Sequence, residues 1–151
     1  TLQVTTGPHL EAIKDYDDAV KALQAQQASD PDYIYQARFN KGICYRRLGH
    51  EHMQASIDDL KKAVEMKADS ASAHNNLGLS FFEQGHFEEA LLSYGHAIRL
   101  EPTAFHHNNR GLAHYHRNEL EEAKKDFDAA VSLQPDDATI LFNRGNVFLN
   151  W

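Results

Sequence analysis

Four asparagines recur along the chain at nearly constant spacing, and their chemistry suits the capture of a peptide backbone. They are Asn40, Asn76, Asn109 and Asn143, spaced 36, 33 and 34 residues apart. An asparagine side chain carries one acceptor oxygen and a donor amide, so it can pair with both polar groups of a peptide bond. The row therefore predicts contact with successive peptide groups of an extended chain. The alternative is that these side chains are solvated or bond a neighbouring helix.

The residues around the asparagines repeat with the same period. Two complete copies read His74, Leu77, Gly78, Phe81, Ala90, Tyr94, Ala97, Pro102 and then His107, Arg110, Gly111, His114, Ala123, Phe127, Ala130, Pro135. An earlier copy reads Arg38, Lys41, Gly42, Tyr45, Ser56, Leu60, Ala63, and an incomplete last copy reads Leu141, Arg144, Gly145, Phe148. Apolar residues return at helical spacing within a copy, and the glycine and the small residue let two helices approach closely. Each complete copy is therefore predicted to be a pair of packed helices.

This pattern resembles the tetratricopeptide repeat (TPR), which has a period of about 34 residues. The resemblance implies an all-α fold, a right-handed superhelical α-solenoid of TPR helix-turn-helix repeats. It also implies that first helices line the concave wall and second helices the outer wall. The asparagine row is similar to the asparagine ladder of O-linked N-acetylglucosamine transferase and kinesin light chain, which holds ligand backbones.

Glycines and prolines set the repeat boundaries. We predict TPR repeats at residues 35–70, 71–103 and 104–137, and the first helix of an incomplete TPR repeat at residues 138–151. Residues 8–34 are predicted to form an N-terminal capping helix, from about Pro8 to Ala28, and a linker, after a frayed N-terminus at residues 1–7. Gly49, Gly85 and Asn118 mark the turns because they tolerate positive φ. The last segment is apolar on more than one side, so we expect it to continue into a longer array or to dock on another molecule.

A set of apolar residues falls on the same predicted wall as the asparagines. Its members are Phe39, Ile43, Leu79, Phe82, Phe105, Leu112 and Tyr115, with Phe142 near the end of the array. Exposed apolar surface of this extent predicts an interaction site, although packing between adjacent first helices accounts for part of it. The expected ligand is an extended peptide with apolar anchors. Cationic and histidine side chains at the far ends of these helices favour acidic flanks in that ligand; they are Arg46, Arg47, His116 and Arg117.

The best-known function that the resemblance implies is capture of the C-terminal Glu-Glu-Val-Asp tail of chaperones by a carboxylate clamp. The clamp needs a lysine and an asparagine four residues apart in one first helix. Here the lysine place reads Phe39, Asn75 or Asn108, and the second asparagine place reads Ile43, Leu79 or Leu112. Neutral groups do not replace the cations that hold a terminal carboxylate. We therefore expect a different kind of peptide ligand.

Composition argues against several other classes of function. The formal net charge is -7, whereas nucleic-acid binding needs a basic footprint, so no nucleic-acid partner is expected. No apolar run is long enough to span a membrane, so no membrane partner is expected and a cytoplasmic location is favoured. The ten histidines lack metal-ligand spacing, and Cys44 lies at a small-residue packing position. We therefore expect no metal, no cofactor and no catalytic residue.

Three functional interpretations remain open at this point. The first is a protein-protein interaction scaffold that binds an extended peptide segment of a partner on the concave TPR groove. The second is a substrate-selecting or regulatory TPR segment of a larger enzyme. The third is a self-association module that pairs through the C-terminal helix.

Overall fold

The computed structural model describes residues 7–25 and 30–151, and within these ranges the chain is all-α, as predicted. The eight helices are α1 (Gly7–Ala25), α2 (Pro31–Leu48), α3 (Met53–Met66), α4 (Ala71–Glu83), α5 (Phe87–Leu100), α6 (Ala104–His116), α7 (Leu120–Leu133) and α8 (Ala138–Leu149). A short 3-10 turn, His50–His52, precedes α3. The predicted capping helix is α1, which begins at Gly7. The predicted fraying of residues 1–6 and the end of that helix at residues 26–28 lie outside the described residues.

Each pair of helices is held together by contact between a glycine and a large side chain. A Cβ added to Gly42 would lie 2.5 Å from Leu60 Cγ, and one added to Gly78 would lie 2.6 Å from Tyr94 Cε1. At Gly111 the corresponding distance, to Phe127 Cε1, is 3.0 Å. The glycines are therefore required because the second helix packs directly on the backbone of the first.

Local sequence signals begin and end the helices at these places. Capping side chains accept hydrogen bonds from the first turns of α2, α4, α6 and α8; they are Asp30, Ser70, Thr103 and Asp137. The turns between paired helices have positive φ at Gly49, Gly85 and Asn118, as predicted. These caps and turns fix the length of each repeat.

The helix pairs stack into a solenoid. The second helices α3, α5 and α7 each pack on their own first helix and on the first helix of the next pair. Successive first helices α2, α4, α6 and α8 also touch one another, so this layer is the more tightly spaced, concave side of the array. We call it the first-helix wall. No helix of the described residues is both long and apolar enough to cross a membrane.

Candidate functional site

The asparagines of the first-helix wall form hydrogen bonds between repeats. Asn109 Nδ2 donates to Asn75 Oδ1 at 3.0 Å, and Asn143 Nδ2 donates to Asn108 Oδ1 at 2.9 Å. In both cases the acceptor lies in the preceding repeat, one residue before a member of the predicted row. Each bond therefore ties one first helix to the next.

The row is arranged differently at its N-terminal end. The place that holds Asn75 and Asn108 in later repeats is occupied by Phe39, which has no acceptor for Asn76. Asn76 Nδ2 donates instead to the Ser72 carbonyl of its own helix, at 2.9 Å. The first half of the row is therefore not committed to bonds between repeats.

Accessibility also divides the row. Asn109 is only 6% exposed, whereas Asn40, Asn76 and Asn143 are half-buried. Within the described residues, no protein hydrogen bond engages the Oδ1 acceptor of any of these four asparagines. Their oxygens can therefore accept from a ligand, with least hindrance at Asn40, Asn76 and Asn143.

The apolar residues predicted for the wall fall into exposed and half-buried groups. Phe105 is 56% exposed and Phe142 is 68% exposed. The others are half-buried: Phe39, Ile43, Leu79, Phe82, Leu112 and Tyr115. Large apolar side chains with this degree of exposure are candidates for anchoring a partner.

Packing inside the array explains the half-buried group. Phe39 stacks on Tyr35 with ring centroids 6.0 Å apart, and it packs with Leu79 and Phe82 against the core around Tyr94. Tyr115 and Leu112 pack on a second cluster that contains Phe127 and Val147. These side chains therefore contribute to the stack itself, and each offers only part of its surface to a ligand.

A recess lies where α6 approaches the beginning of α8. It has a volume of about 210 Å³ and is lined by Phe105, Asn108, Gln134, Asp137, Thr139 and Ile140. It combines an exposed aromatic ring, the asparagine that joins two repeats, and the capping carboxylate of α8. Of the wall's features, this recess has the shape and the mixture of polar and apolar groups that suit one ligand side chain.

Most cations that were expected to favour acidic flanks already have partners. Arg46 pairs with Glu83 at 2.8 Å, and Arg117 pairs with Glu88 and Glu119, each at 2.8 Å. Hydrogen bonds to Glu88 and then to Glu119 raise the pKa of Arg117 above its usual value. His116 is stacked on Phe87, with centroids 5.4 Å apart, while Arg47 is exposed. An acidic ligand would therefore have to compete with the protein's own carboxylates.

Sequence reasoning missed a pair of buried ionic clusters. Asp126 accepts two hydrogen bonds of 2.7 Å from Arg110, and its Oδ1 lies 3.0 Å from His107 Nδ1. The first repeat has an equivalent cluster in which Arg38 and Lys41 contact Asp59 at 2.6 Å and 3.4 Å. These pairs join first to second helices and explain the charge segregation between them.

A signal for these clusters was present in the sequence. The middle repeat has Leu77 and Ser93 where the third repeat has Arg110 and Asp126. A cation at the apolar packing place therefore occurs together with an acid at the facing place in the second helix. A comparison of the repeats with one another was sufficient to pair them.

The remaining reactive side chains are part of the packing. Cys44 is half-buried, and burial raises the pKa of its thiol despite the opposing charge of Arg47. His74 stacks on His96 with centroids 5.0 Å apart, and burial lowers the pKa of His96. Among the described residues, no group of three or more histidine, cysteine or acidic side chains is placed to hold a metal ion.

With the geometry of the wall described, comparisons with known proteins decide the family. The sequence profile of the tetratricopeptide repeat matches residues 50–105, 76–138 and 108–150, which together span most of the chain. The chain belongs to the tetratricopeptide repeat family. Comparison with curated protein sequences finds no match.

Solved structures share this TPR fold at low sequence identity. YrrB, a TPR protein described as having an unusual peptide-binding site, has a TM-score of 0.76 and 22% identity over 94% of this chain and 69% of its own. MamA has a TM-score of 0.75 and 23% identity, covering 91% of this chain and 79% of its own. The second TPR domain of human RPAP3, solved with an HSP70 peptide, has a TM-score of 0.74 and 18% identity over 79% and 98%. At these identities the likeness establishes the fold.

Proposed function

We propose that this TPR array is a protein-protein interaction scaffold that binds an extended peptide segment of a partner on its first-helix wall. The observation that carries the proposal is the exposure of Phe105 and Phe142 beside asparagines whose acceptor oxygens are free of protein donors. Apolar side chains of the peptide bind at the two phenylalanines, and backbone N–H groups donate to the asparagines. The scaffold works in the same way whether it acts alone or selects substrates for a larger enzyme.

The asparagines have separate roles in this proposal. Asn76, whose amide is bonded within its own helix, is the most available rung for the peptide backbone. Asn40 and Asn143 are half-buried and extend the same row toward the two ends. Asn109 is almost covered, so its main contribution is to hold α6 against α4 through Asn75. The half-buried apolar residues form the floor between the rungs.

The peptide that fits this wall differs from a chaperone tail. One structural neighbour was solved with an HSP70 peptide and another, the first TPR domain of Spaghetti (RPAP3), with an HSP90 peptide. The places where a clamp needs lysine hold Phe39, Asn75 and Asn108 here, and Arg46 and Arg117 are paired with glutamates. We propose a neutral or weakly acidic internal segment with Leu or Phe anchors. An acidic flank would gain chiefly from Arg47, which is exposed.

Peptide selection on the whole chain tests the proposal. A random peptide library displayed on phage is selected against the protein, and the enriched peptides are titrated by calorimetry. Phe105→Ser should weaken binding by roughly tenfold or more, because burying a phenylalanine contributes about 1.5–3 kcal/mol. Leu92→Ser is the matched control, since Leu92 is 68% exposed on the second helix α5.

Two results would overturn the proposal. One is a loss of binding in Leu92→Ser with full binding in Phe105→Ser, which would move the site to the outer wall. The other is preferred binding of peptides that end in Glu-Glu-Val-Asp, abolished by amidation of the terminal carboxylate. That result would show a carboxylate clamp built from other residues.

A further inference from the structure

α1 has the sequence and the contacts of a second helix. The segment Asp15-Tyr16-Asp17 corresponds to Asp126-Phe127-Asp128 of α7. Lys41 of the following helix contacts Asp17 at 2.5 Å, just as Arg144 contacts Asp128 at 3.1 Å. Each of these cations directly precedes the packing glycine of its first helix. α1 therefore packs on α2 in the same way as α7 packs on α8.

The face that a second helix turns toward its own first helix is open on α1. In the three complete repeats this face is 0% exposed at nine positions, namely Ser56, Leu60, Ala63, Ala90, Tyr94, Ala97, Ala123, Phe127 and Ala130. The corresponding residues of α1 are Ala12, Tyr16 and Ala19, and all three are partly exposed. Within the described residues, α1 thus presents a small-tyrosine-small face without a first helix on it.

α8 presents the complementary face. A Cβ added to Gly145 would have no heavy atom within 4 Å, whereas the equivalent Gly78 is covered by Tyr94. Leu141 and Phe148, which flank Gly145 on the same face, are exposed. α8 therefore has the glycine groove of a first helix with the place of its second helix open.

We propose that α1 of one copy of this chain docks on α8 of a second copy and completes a helix pair across the two molecules. In this register Tyr16 of one copy lies over Gly145 of the other, as Tyr94 lies over Gly78 within the chain. Ala12 and Ala19 then contact the exposed Leu141 and Phe148. The occupant is specified by the match between the two open faces, since both follow the pattern of the repeats inside the array.

Charge complementarity supports the same register. Lys41 contacts two acids, Asp17 of the preceding helix and Asp59 of its own repeat. Arg144 has the same place in α8 and contacts Asp128 of the preceding helix. Asp15 has the place in α1 that Asp59 has in α3, and it is exposed. Docking therefore gives Arg144 the second carboxylate that Lys41 already has.

The association is head-to-tail, because different surfaces of the two copies meet. Such heterologous contacts build open chains unless the rotation between copies closes a ring. The first-helix wall would continue from one copy to the next, since each junction reproduces the stacking within the array.

Sedimentation velocity on the whole chain tests the proposal with two blocking variants. The mass of the unmodified chain should rise with concentration and continue beyond a dimer. Tyr16→Glu places a charge on the α1 face, and Gly145→Leu fills the groove on α8 with no clash in the single chain. Each variant alone should be monomeric. Their equimolar mixture should form one dimer and nothing larger, because only one pair of open faces remains. Leu92→Ser is the surface control and should associate normally.

Each alternative arrangement gives a different result. A chain that stays monomeric at all concentrations overturns the proposal. Association of Tyr16→Glu equal to that of the unmodified chain overturns it in favour of α8 pairing with α8, and a mixture that stays monomeric also overturns it. Circular dichroism checks that both variants remain folded. If Tyr16→Glu loses helix, Ala12→Glu repeats the block at a neighbouring position and the same mixture is made with it.

Discussion

Asn75 and Asn109 join consecutive first helices through a single buried hydrogen bond of 3.0 Å between side chains 34 residues apart in sequence. The bond has two consequences. It fixes the spacing of α4 and α6 on the concave side, and it orients the Asn109 side chain so that its oxygen is free of protein donors. The same contact recurs between Asn108 and Asn143.

Removal of the acceptor tests this contact. Asn75→Ala leaves the amide of Asn109 buried without a partner, so the free energy of unfolding should fall by about 1–3 kcal/mol. Asn76→Ala is the control in the adjacent position of the same helix, because Asn76 bonds only within α4. Its effect should stay within about 0.5 kcal/mol. Urea unfolding followed by circular dichroism measures both, and equal losses would show that the bond between repeats contributes nothing particular.

The two glycines Gly78 and Gly145 should respond in opposite directions to alanine. A Cβ at Gly78 would lie 2.6 Å from Tyr94, so Gly78→Ala should destabilise the array by about 1–3 kcal/mol through overpacking. Gly145 has nothing within 4 Å, so Gly145→Ala should stabilise α8 by about 0.5–1 kcal/mol through reduced backbone entropy in the unfolded chain. Thermal unfolding compares the pair in the concentration range where the chain is monomeric. Destabilisation by both changes would mean that α8 is already covered in solution.

The ionic cluster of the third repeat should be replaceable by the apolar pair of the middle repeat. Asp126→Ser removes the acid that Arg110 contacts and should cost on the order of 2 kcal/mol. A fully buried pair costs roughly 3–5 kcal/mol, but the Arg110 side chain is 31% exposed. Adding Arg110→Leu copies Leu77 and Ser93 and should recover most of the loss. Chemical unfolding measures both variants; a double variant less stable than the single one would contradict this equivalence.

Acidification should weaken the contact between α7 and α8. The hydrogen bond from Lys124, followed by that from Arg144, holds the pKa of Asp128 below its usual value. A carboxylate with a lowered pKa contributes stability above its unfolded pKa, near about 3.9, and that contribution disappears as the pH falls through the folded pKa. The stability difference between the unmodified chain and Asp128→Asn should therefore shrink as the pH falls below about 4. Melting temperatures at neutral and acidic pH measure it, with the exposed Asp136→Asn as a control. A difference that persists at low pH would assign the effect to packing.

The sequence was sufficient for the features that repeat. The helix pairs, the packing glycines and the positive φ of Gly85 and Asn118 all follow from local rules applied to one repeat at a time. The contact between Asn75 and Asn109 does not follow from those rules, since it depends on how far one repeat is rotated relative to the next. The pairing of Arg117 with Glu88 has the same origin, and for that reason the free positive charge expected there was overestimated.

The most direct test of peptide binding on the first-helix wall is heteronuclear NMR of the asparagine side-chain amides during titration with a selected peptide. The proposal predicts shifts for Asn76 and Asn143, shifts of backbone amides near Phe105 and Phe142, and little change along α5 and α7. The predicted order has Asn76 affected more than Asn109, because Asn109 is buried and bonded to Asn75. Unchanged asparagine amides together with shifts confined to α5 and α7 would contradict the account.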